Sequence, residues 1–257
     1  MIYSDAGEGK TTLAAQFPDP LFIATCGEQG VHLHKKNGVI DKKIPVIDLD
    51  GPYMADKIPA GSGHEGYLKA IKAMKRFEAG NHNRKTLIID SMSGFEILLV
   101  QHTASVLYGG DINGKDFSSY YAGYNDAVSK FLVPEFCRLC LAIVAKGYNV
   151  VLLAHSMVKD FKNPTGNDYP RYLPNLYSKA FDALKKDLHA IFFMGRNVTV
   201  QADKKKQLKA ANESRFLAMA PSCYYVAKCW NSKPGTTEVD CGDSPQETYT
   251  NLMDALI

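Results

Sequence analysis

The sequence predicts an α/β protein with a mostly parallel central sheet, helices on its faces and antiparallel edge strands near the C-terminus. Three observations support this class. Apolar runs at residues 21–24, 86–90 and 149–155 have the length and β-branched content of buried parallel strands. Helical patterns separate these runs, as in sheets built with right-handed crossovers. A glycine-containing loop at residues 4–11 precedes a further helix.

The first element is a short apolar strand at residues 2–3, followed by that loop, SDAGEGKT. The loop matches the phosphate-binding pattern GxxxxGK[ST], except that Ser4 stands at the first glycine. Gly7 and Gly9 keep the conformational freedom that lets backbone N–H groups converge on phosphate oxygens. The loop by itself leaves an alternative open, which is an ordinary glycine-containing turn before a helix.

A nucleotide bound at this loop would be ATP with Mg²⁺. Lys10 would reach the β- and γ-phosphates, and the Thr11 hydroxyl would ligate Mg²⁺. A helix from Thr12 would place its positive end at the phosphates. The predicted nucleotide contacts are Gly7, Glu8, Gly9, Lys10, Thr11 and Thr12. Only residues 1–3 precede Ser4, so we expect either a truncated start or a weakly anchored loop.

The next elements are the strand at 21–24, a mobile surface loop at 50–66 and a helix at 66–79. Two prolines and several glycines predict the loop. Apolar residues at helical spacing, with lysines on most of the other face, predict the helix. The apolar positions are Leu68, Ile71, Met74 and Phe77.

The strand at 86–90 ends in Asp90. An aspartate at this point of a P-loop protein holds the water shell of Mg²⁺, and ligands of open α/β sheets bind at the carboxyl edge of the strands. Capping of the turn that follows is the alternative role of this carboxylate. The order of loop, Lys10, Thr11 and Asp90 favours a P-loop nucleotidase.

The middle of the chain predicts a second surface loop at 109–123 and a helix at 124–146 that is interrupted near Pro134. Cys137 and Cys140 have the spacing of half a zinc site. They lie in the helical stretch, and no second close pair completes four ligands, which favours core packing.

The strand at 149–155 ends in His155, and a mobile loop rich in proline and polar residues is predicted at 156–175. The elements predicted after it are a helix at 176–188, strands at 190–194, 197–202, 215–219 and 224–230, a loop at 231–244 and a helix at 245–257. No repeat or strong boundary interrupts the chain. We therefore expect one domain over 1–257, with a C-terminal extension at 231–257.

The amino-acid composition limits the classes of protein to which the chain can belong. The chain has 257 residues, of which 46% are hydrophobic, so a sizeable core is possible. With 30 basic and 27 acidic side chains the net charge is +3, too small to indicate nucleic acid by itself. No apolar run reaches the roughly 18 residues of a membrane span. Six irregularly spaced cysteines favour reduced thiols, so we expect a soluble intracellular protein without membrane contact.

Five segments together resemble the phage-type P-loop ATPases of the RecA-like branch, an AAA-type ATP-binding family that includes phage single-strand annealing and recombination proteins. The segments are SDAGEGKTTLA, LFIATCGEQG, TLIIDSMSG, NVVLLAHSMVKDFKNPTGNDYPRYLPNLYSKAF and YYVAKCWNSKP. They cover most of the chain in order. The resemblance implies a RecA-like P-loop NTPase fold and Mg-ATP as the cofactor. It also implies a cytoplasmic location, in a bacterial host if a phage encodes the gene.

The same resemblance implies three further site residues. Glu28 matches the catalytic glutamate that orients the attacking water, with Cys26 and Gly27 inserted before it. His155 matches the polar γ-phosphate sensor. Lys228 matches a basic residue that completes the site of a neighbouring subunit in a homo-oligomer. The alternatives are an exposed loop glutamate, a satisfied core histidine and a solvated strand-end lysine.

In the RecA-like family the segment after the sensor contacts single-stranded DNA. Cations suit its phosphates, and aromatic rings stack on bases at roughly 1–3 kcal/mol per base. The matching residues are Lys159, Phe161, Lys162, Tyr169, Arg171 and Tyr172. An ordinary surface loop or a protomer contact is the alternative. The basic run at 203–209 is a further phosphate-binding candidate, or a solvated hairpin tip.

The leading hypothesis is a Mg-ATP-hydrolysing enzyme that acts on or assembles along single-stranded DNA in phage-type recombination or replication. Its catalytic residues would be Lys10, Glu28, Asp90 and His155. The alternative is a nucleotide-dependent switch or scaffold that recruits replication proteins with little ATP turnover. A small-molecule kinase ranks last, because no arginine-rich lid is evident.

Overall fold

The computed structural model describes residues 1–25, 27–49, 62–202 and 208–257. The strands are β1 (Ile2–Ser4), β2 (Pro20–Ala24), β3 (Val46–Asp48), β4 (Thr86–Asp90), β5 (Asn149–Phe161), β6 (Tyr169–Pro174), β7 (Ala190–Ala202), β8 (Leu208–Ala218), β9 (Lys228–Cys229) and β10 (Glu238–Asp240). The helices are α1 (Lys10–Ala14), α2 (Gly30–Lys36), α3 (Ser62–Glu78), α4 (Met92–Leu107), α5 (Lys115–Ser118), α6 (Ala122–Asp126), α7 (Arg138–Ala145), α8 (Ser178–Asp187) and α9 (Pro245–Asp254). Within these residues, no helix has both the length and the apolar character needed to cross a membrane.

The chain divides into two compact units whose segments alternate along the sequence. The first unit contains Met1–Gln16, His155–Pro174 and His189–Ile257, and the second contains Phe17–Ala154 and Asn175–Leu188. Because the segments interleave, no single linker marks a boundary. The expectation of one domain over 1–257 stays a prediction.

The second unit contains a parallel sheet in the order β3-β2-β4-β5. Ala24 at the end of β2 lies beside Asp90 at the end of β4, so both strands end at the same edge. The apolar residues of β4 are buried, as expected for a strand covered on both faces. The predicted strands at 21–24, 86–90 and 149–155 are confirmed.

Helix α3 confirms the predicted helix at 66–79 but begins four residues earlier, at Ser62. It packs against α4 and α7, and its buried apolar side chains include Tyr67, Ile71, Met74 and Phe77. The assignment of Leu68 to this stripe is wrong, because its side chain is 48% exposed. Residues 50–61 of the predicted loop lie outside the described residues.

The helical stretch from α6 to α7 is continuous through Pro134. Residues Ala127–Cys137 form a π-helix, whose wider turns allow a proline that lacks the backbone donor. The expected interruption is therefore a change of helix type and not a break. The loop expected at 109–123 contains α5 and a 3-10 turn. Cys137 is buried, and burial raises the pKa of its thiol to about 11.

The first unit contains a sheet in the order β1-β7-β8-β10. Strand β1 runs parallel to β7, with Ile2 beside Phe192, and β8 and β10 continue the sheet antiparallel. The predicted antiparallel strands near the C-terminus are confirmed. The Tyr3 hydroxyl donates to the Val226 carbonyl at 2.7 Å and accepts from the Val226 N–H at 3.0 Å. Strand β1 is therefore well anchored, although its short length favoured a weakly anchored loop as one of two expectations.

Several predicted strand bounds in this unit are corrected. The runs at 190–194 and 197–202 form one strand, β7, and the run at 215–219 is the end of the longer β8. Of the run at 224–230, only Lys228–Cys229 is a strand. Residues 203–207 of the basic run lie outside the described residues. The segment expected as an extension at 231–257 includes β10, which pairs with β8.

The loop predicted at 156–175 is instead a β-hairpin. Strand β5 continues to Phe161 and pairs antiparallel with β6, from Ser156 opposite Pro174 to Phe161 opposite Tyr169. Prolines in β6 misled the sequence interpretation, because proline lacks a strand donor. Such residues are tolerated where the ladder does not need that donor.

Glu96 on helix α4 forms a hydrogen bond with the residue that precedes α8. Its Oε1 accepts a hydrogen bond from the Tyr177 backbone N–H at 2.8 Å, directly before α8. Burial raises the pKa of the Glu96 carboxyl from 4.5 to about 7, although the bond from Tyr177 opposes this rise. The helix junction therefore contains a carboxyl group that titrates near neutral pH.

We expect Met74→Ala to lower the free energy of unfolding by about 2–5 kcal/mol, because this side chain is fully buried in α3. Leu68→Ala in the same helix is the matched control and should change it by no more than about 0.5 kcal/mol. Urea unfolding followed by circular dichroism measures both. Equal losses would contradict the assigned buried stripe.

We expect the wild-type protein to lose stability as the pH rises from about 4.5 to about 7, because the unfolded Glu96 carboxyl releases its proton before the folded one. Glu96→Gln keeps an oxygen acceptor for Tyr177 and removes the charge. The variant should therefore lack this decline and be more stable than the wild type at pH ~8. Thermal unfolding across this pH range tests it, and the same decline in both proteins would refute it.

Candidate nucleotide-binding site

The loop after β1 depends on two glycines. Gly7 has φ 86° and Gly9 has φ 104°, left-handed values that favour glycine. A Cβ on Gly9 would also lie 3.2 Å from Nη1 of Arg215. Ser4 is the last residue of β1 and fully buried. A small residue suffices there, so the missing motif glycine does not prevent the loop from forming.

The Lys10 ammonium lies inside this loop. Its Nζ donates to the Ser4 carbonyl at 3.1 Å, the Ser4 hydroxyl at 3.0 Å and the Asp5 carbonyl at 2.9 Å. The residue is 7% exposed, and a buried cation requires such acceptors. The serine that replaces the motif glycine therefore contacts the cation directly, a role that the sequence interpretation missed.

Helix α1 begins at Lys10, two residues earlier than predicted, so Thr11 and Thr12 both lie in its first turn. The Thr12 hydroxyl donates to the Gly9 carbonyl at 2.9 Å. The loop thus combines an ammonium group, the Thr11 hydroxyl and a glycine at which a side chain would meet Arg215. These groups fit a nucleotide phosphate with Mg²⁺.

Two arginines contact Glu8 from neighbouring strands. Arg196 on β7 donates through Nε to both carboxylate oxygens of Glu8, at 2.9 and 3.0 Å. Arg215 on β8 donates through Nη1 to the Glu8 carbonyl at 3.3 Å. The two arginines lie opposite each other in the sheet. The sequence interpretation missed them because only the strand register brings them to the loop.

His155 lies in the first unit, inside β5 and not at a strand end. The strand continues six residues beyond it, to Phe161, because β6 pairs with that part. The next residue, Ser156, donates its hydroxyl to Oδ1 of Asp5 in the loop. The predicted position of His155 at the end of its strand is therefore wrong, and its sensor role stays a prediction.

Asp90 lies in the second unit at the carboxyl end of β4 and is buried. Its carbonyl accepts a hydrogen bond from the Thr25 N–H at 2.8 Å. Ser91, the next residue, is the N-cap of α4 and accepts from the Gly94 N–H at 3.3 Å. Ser91 therefore has the capping role that was the alternative for Asp90.

Glu28, also in the second unit, forms a hydrogen bond with Ser91. Its Oε1 accepts a hydrogen bond from the Ser91 hydroxyl at 2.6 Å. The Thr25 hydroxyl fixes Ser91, because it donates to the Ser91 carbonyl at 2.7 Å and accepts from the Ser91 N–H at 2.8 Å. The structure thus places Glu28 beside the residue that follows Asp90. Its catalytic role stays a prediction, and Cys26 lies outside the described residues.

In the hairpin of β5 and β6, the predicted DNA-binding residues do not all lie on the same face. Lys159 lies opposite Arg171 and Phe161 opposite Tyr169, so these four share one face of the hairpin. Tyr172 points to the other face and stacks on Phe193 at 5.0 Å between ring centroids.

Two of the predicted cations already have partners within the first unit. Lys162 forms an ion pair with Asp168. Arg171 donates through Nη2 to the carbonyls of Ser222 and Tyr225, at 3.0 and 3.2 Å, and its guanidinium lies 5.5 Å from the centre of the Phe161 ring. These contacts stabilise the hairpin. Lys159 is then the exposed cation on the face that it shares with Phe161, Tyr169 and Arg171.

Lys228 lies on β9, the two-residue strand that pairs with β7. Its Nζ is 4.7 Å from the centre of the Trp230 ring, a cation–π contact. Trp230, two residues further along the chain, therefore contacts this cation. The inter-subunit role of Lys228 stays a prediction.

A family model described as an AAA domain matches residues 1–228. The chain belongs to this AAA domain family. The match includes the loop with Lys10 and the strand that ends in Asp90, and it ends at Lys228. Membership indicates a nucleotide-binding P-loop ATPase, a class that generally binds ATP with Mg²⁺. No curated protein matches the chain.

We expect Gly9→Ala to weaken ATP binding at least about tenfold, because the new Cβ meets Arg215 and the left-handed backbone is strained. Gly147→Ala is the matched control. Gly147 has φ 83°, and nothing lies within 4 Å of an added Cβ. It should lose similar stability and leave ATP binding unchanged. Titration with a fluorescent ATP analogue measures both, and equal affinities in the two variants would place the nucleotide elsewhere.

Proposed function

We propose that this AAA domain protein binds and hydrolyses Mg-ATP, and that it acts on or assembles along single-stranded DNA in phage-type recombination or replication. The observation that carries the nucleotide part is the buried Lys10 ammonium within a loop that two left-handed glycines shape. The Lys10 ammonium can exchange the neutral oxygens of its loop for phosphate oxygens, which are stronger acceptors.

The proposed reaction gives separate roles to Lys10, Thr11, Asp90 and Arg215. Lys10 binds the β- and γ-phosphate oxygens. Thr11 ligates Mg²⁺, and Asp90 holds the water shell of the metal, a role taken from the family resemblance. The bound metal would neutralise charge that develops on the transferred phosphoryl group. Arg215 is a positioning residue, because it holds the Glu8 carbonyl of the loop.

Glu28 orients the attacking water in this proposal, and His155 responds to the γ-phosphate. The hydrogen bond from the Ser91 hydroxyl holds the Glu28 carboxylate in one direction, which supports an orienting role. The same bond makes Ser91 a positioning residue for Glu28.

DNA contact in this proposal involves the face of the hairpin that carries Lys159, Phe161 and Tyr169. Lys159 and Phe161 are exposed there, and the Phe161 and Tyr169 rings lie 5.2 Å apart. A cation beside aromatic rings suits single-stranded DNA. We further propose a homo-oligomer in which Lys228 reaches a neighbouring site.

The second candidate function is a nucleotide-dependent switch that recruits replication proteins and hydrolyses ATP slowly. One observation favours it: the cation–π contact of Lys228 with Trp230, at 4.7 Å. A cation that must leave an aromatic ring before it reaches another subunit gives a weak inter-subunit contribution to hydrolysis.

We expect Lys10→Ala to lower ATP turnover at least about hundredfold, because it removes the cation at the phosphates. Lys36→Ala, an exposed lysine at the end of α2, is the matched control and should keep full turnover. Turnover is measured for the wild type and both variants, with and without oligo(dT).

Stimulation by oligo(dT) that Lys10→Ala abolishes would support the ATPase acting on DNA. Tight nucleotide binding with negligible turnover and no oligo(dT) retention would favour the switch. Unchanged nucleotide affinity in Lys10→Ala would refute both candidate functions.

A further inference from the structure

A groove of about 550 Å³ lies in the second unit, between α3 and the strands β2 and β3. Its floor is apolar and includes Leu21, Ile47, Ala73 and Phe77. Binding grooves of several hundred Å³ combine such a floor with a few polar groups. The groove contains no residue of the nucleotide-binding loop and neither Asp90 nor Glu28.

Four cations surround this floor. Lys69, Lys72 and Arg76 recur at helical spacing along one face of α3, and Arg84 comes from the segment before β4. Among the described residues, none of the four has an ion pair or a side-chain hydrogen bond. Like charges at this spacing repel each other within a helix, so an anion in the groove would relieve an unfavourable interaction.

Among the described residues that line the groove, the acid is Asp48, and its single negative charge offsets only one of the four positive charges. Its Oδ1 lies 2.6 Å from Nε2 of His32, so it already has a partner. The whole chain carries a net charge of only +3 over 257 residues. The concentration of unpaired positive charge at one groove therefore points to an anionic ligand.

The aromatic rings of the groove argue against a nucleobase ligand. The Phe77 ring packs on His82 and on Tyr148, with centroids 4.4 and 5.3 Å apart, and it is 3% exposed. Stacking of bases needs an open ring face. A ligand made of phosphates alone would leave the apolar floor of Leu21 and Ile47 uncovered.

A peptide satisfies both features. Strand β3 is the end of its sheet in the described part of the second unit, with β2 on one side. An extended segment can pair with such an edge and direct alternate side chains into an adjacent groove. Acidic side chains would then meet the cations of α3, and apolar ones would cover the floor.

We propose that this groove binds an acidic peptide segment of a partner protein, with aspartate or glutamate facing Lys69, Lys72, Arg76 and Arg84 and with aliphatic side chains on the floor. This binding does not depend on ATP hydrolysis or on DNA. It adds an interaction surface to the proposed function and can fail without affecting it.

The probe is a displayed library of short random peptides, selected on the immobilised full chain. We expect enrichment of acidic peptides that contain leucine, isoleucine or phenylalanine. The double variant Lys72→Glu/Arg76→Glu should lower the affinity of an enriched peptide about tenfold or more. Lys75→Glu is the matched control, because this exposed residue of α3 does not line the groove. It should change the affinity less than about twofold.

Absence of enrichment, or equal affinity in the wild type and the double variant, overturns the proposal. Loss of oligo(dT) binding in the double variant, with peptide binding retained, would show that nucleic acid occupies the groove and also overturns it. Circular dichroism and thermal unfolding test whether both charge variants fold. We expect both to fold, because the side chains of Lys72, Lys75 and Arg76 are exposed. ATP turnover, measured alongside, separates this outcome from failure of the proposed ATPase.

Discussion

The hydrogen bonding of the Lys10 ammonium is the constraint on which the nucleotide-binding loop depends. A buried cation must be surrounded by oxygen acceptors, and here the Ser4 carbonyl, the Ser4 hydroxyl and the Asp5 carbonyl provide them. These atoms converge only because β1 ends at a buried residue and the chain then turns through two left-handed glycines. The conformation of the loop and the position of the cation therefore stabilise each other.

The rest of the first unit keeps this loop in place. Strand β1 is short, but it pairs with β7 and its Tyr3 hydroxyl is bonded to Val226 in both directions. Arg196 and Arg215 hold the side chain and the carbonyl of Glu8. Burial raises the pKa of Tyr3, so its hydroxyl stays a donor at any physiological pH. A preorganised loop of this kind binds a phosphate with little further loss of conformational entropy.

Local signals were sufficient for the loop and the buried strands. The glycine-lysine-threonine ending and the apolar run before Asp90 each depend on residues close together in the sequence, and both were found. In α3 the predicted stripe was right at three positions and wrong only at its first, because Tyr67 and Leu68 both suit an apolar stripe. Only packing against α4 and α7 decides between them.

Features that depend on strand pairing were not predictable in the same way. The hairpin at β5 and β6 contains prolines, which indicate a loop until its register is known. The two arginines at Glu8 are distant in sequence and become neighbours through the pairing of β7 with β8. The Ser91 cap and its bond to Glu28 similarly require two strand ends to be adjacent. Long-range contacts of this kind leave no periodic signal in a single sequence.

The most direct measurement is a crystal structure of the chain with Mg²⁺ and a non-hydrolysable ATP analogue. We predict that Nζ of Lys10 leaves the Ser4 and Asp5 oxygens and contacts the β- and γ-phosphates, with the Thr11 hydroxyl on the metal and Gly7 and Gly9 still left-handed. A nucleotide bound elsewhere, with the bonds of Lys10 to its own loop intact, would contradict the account.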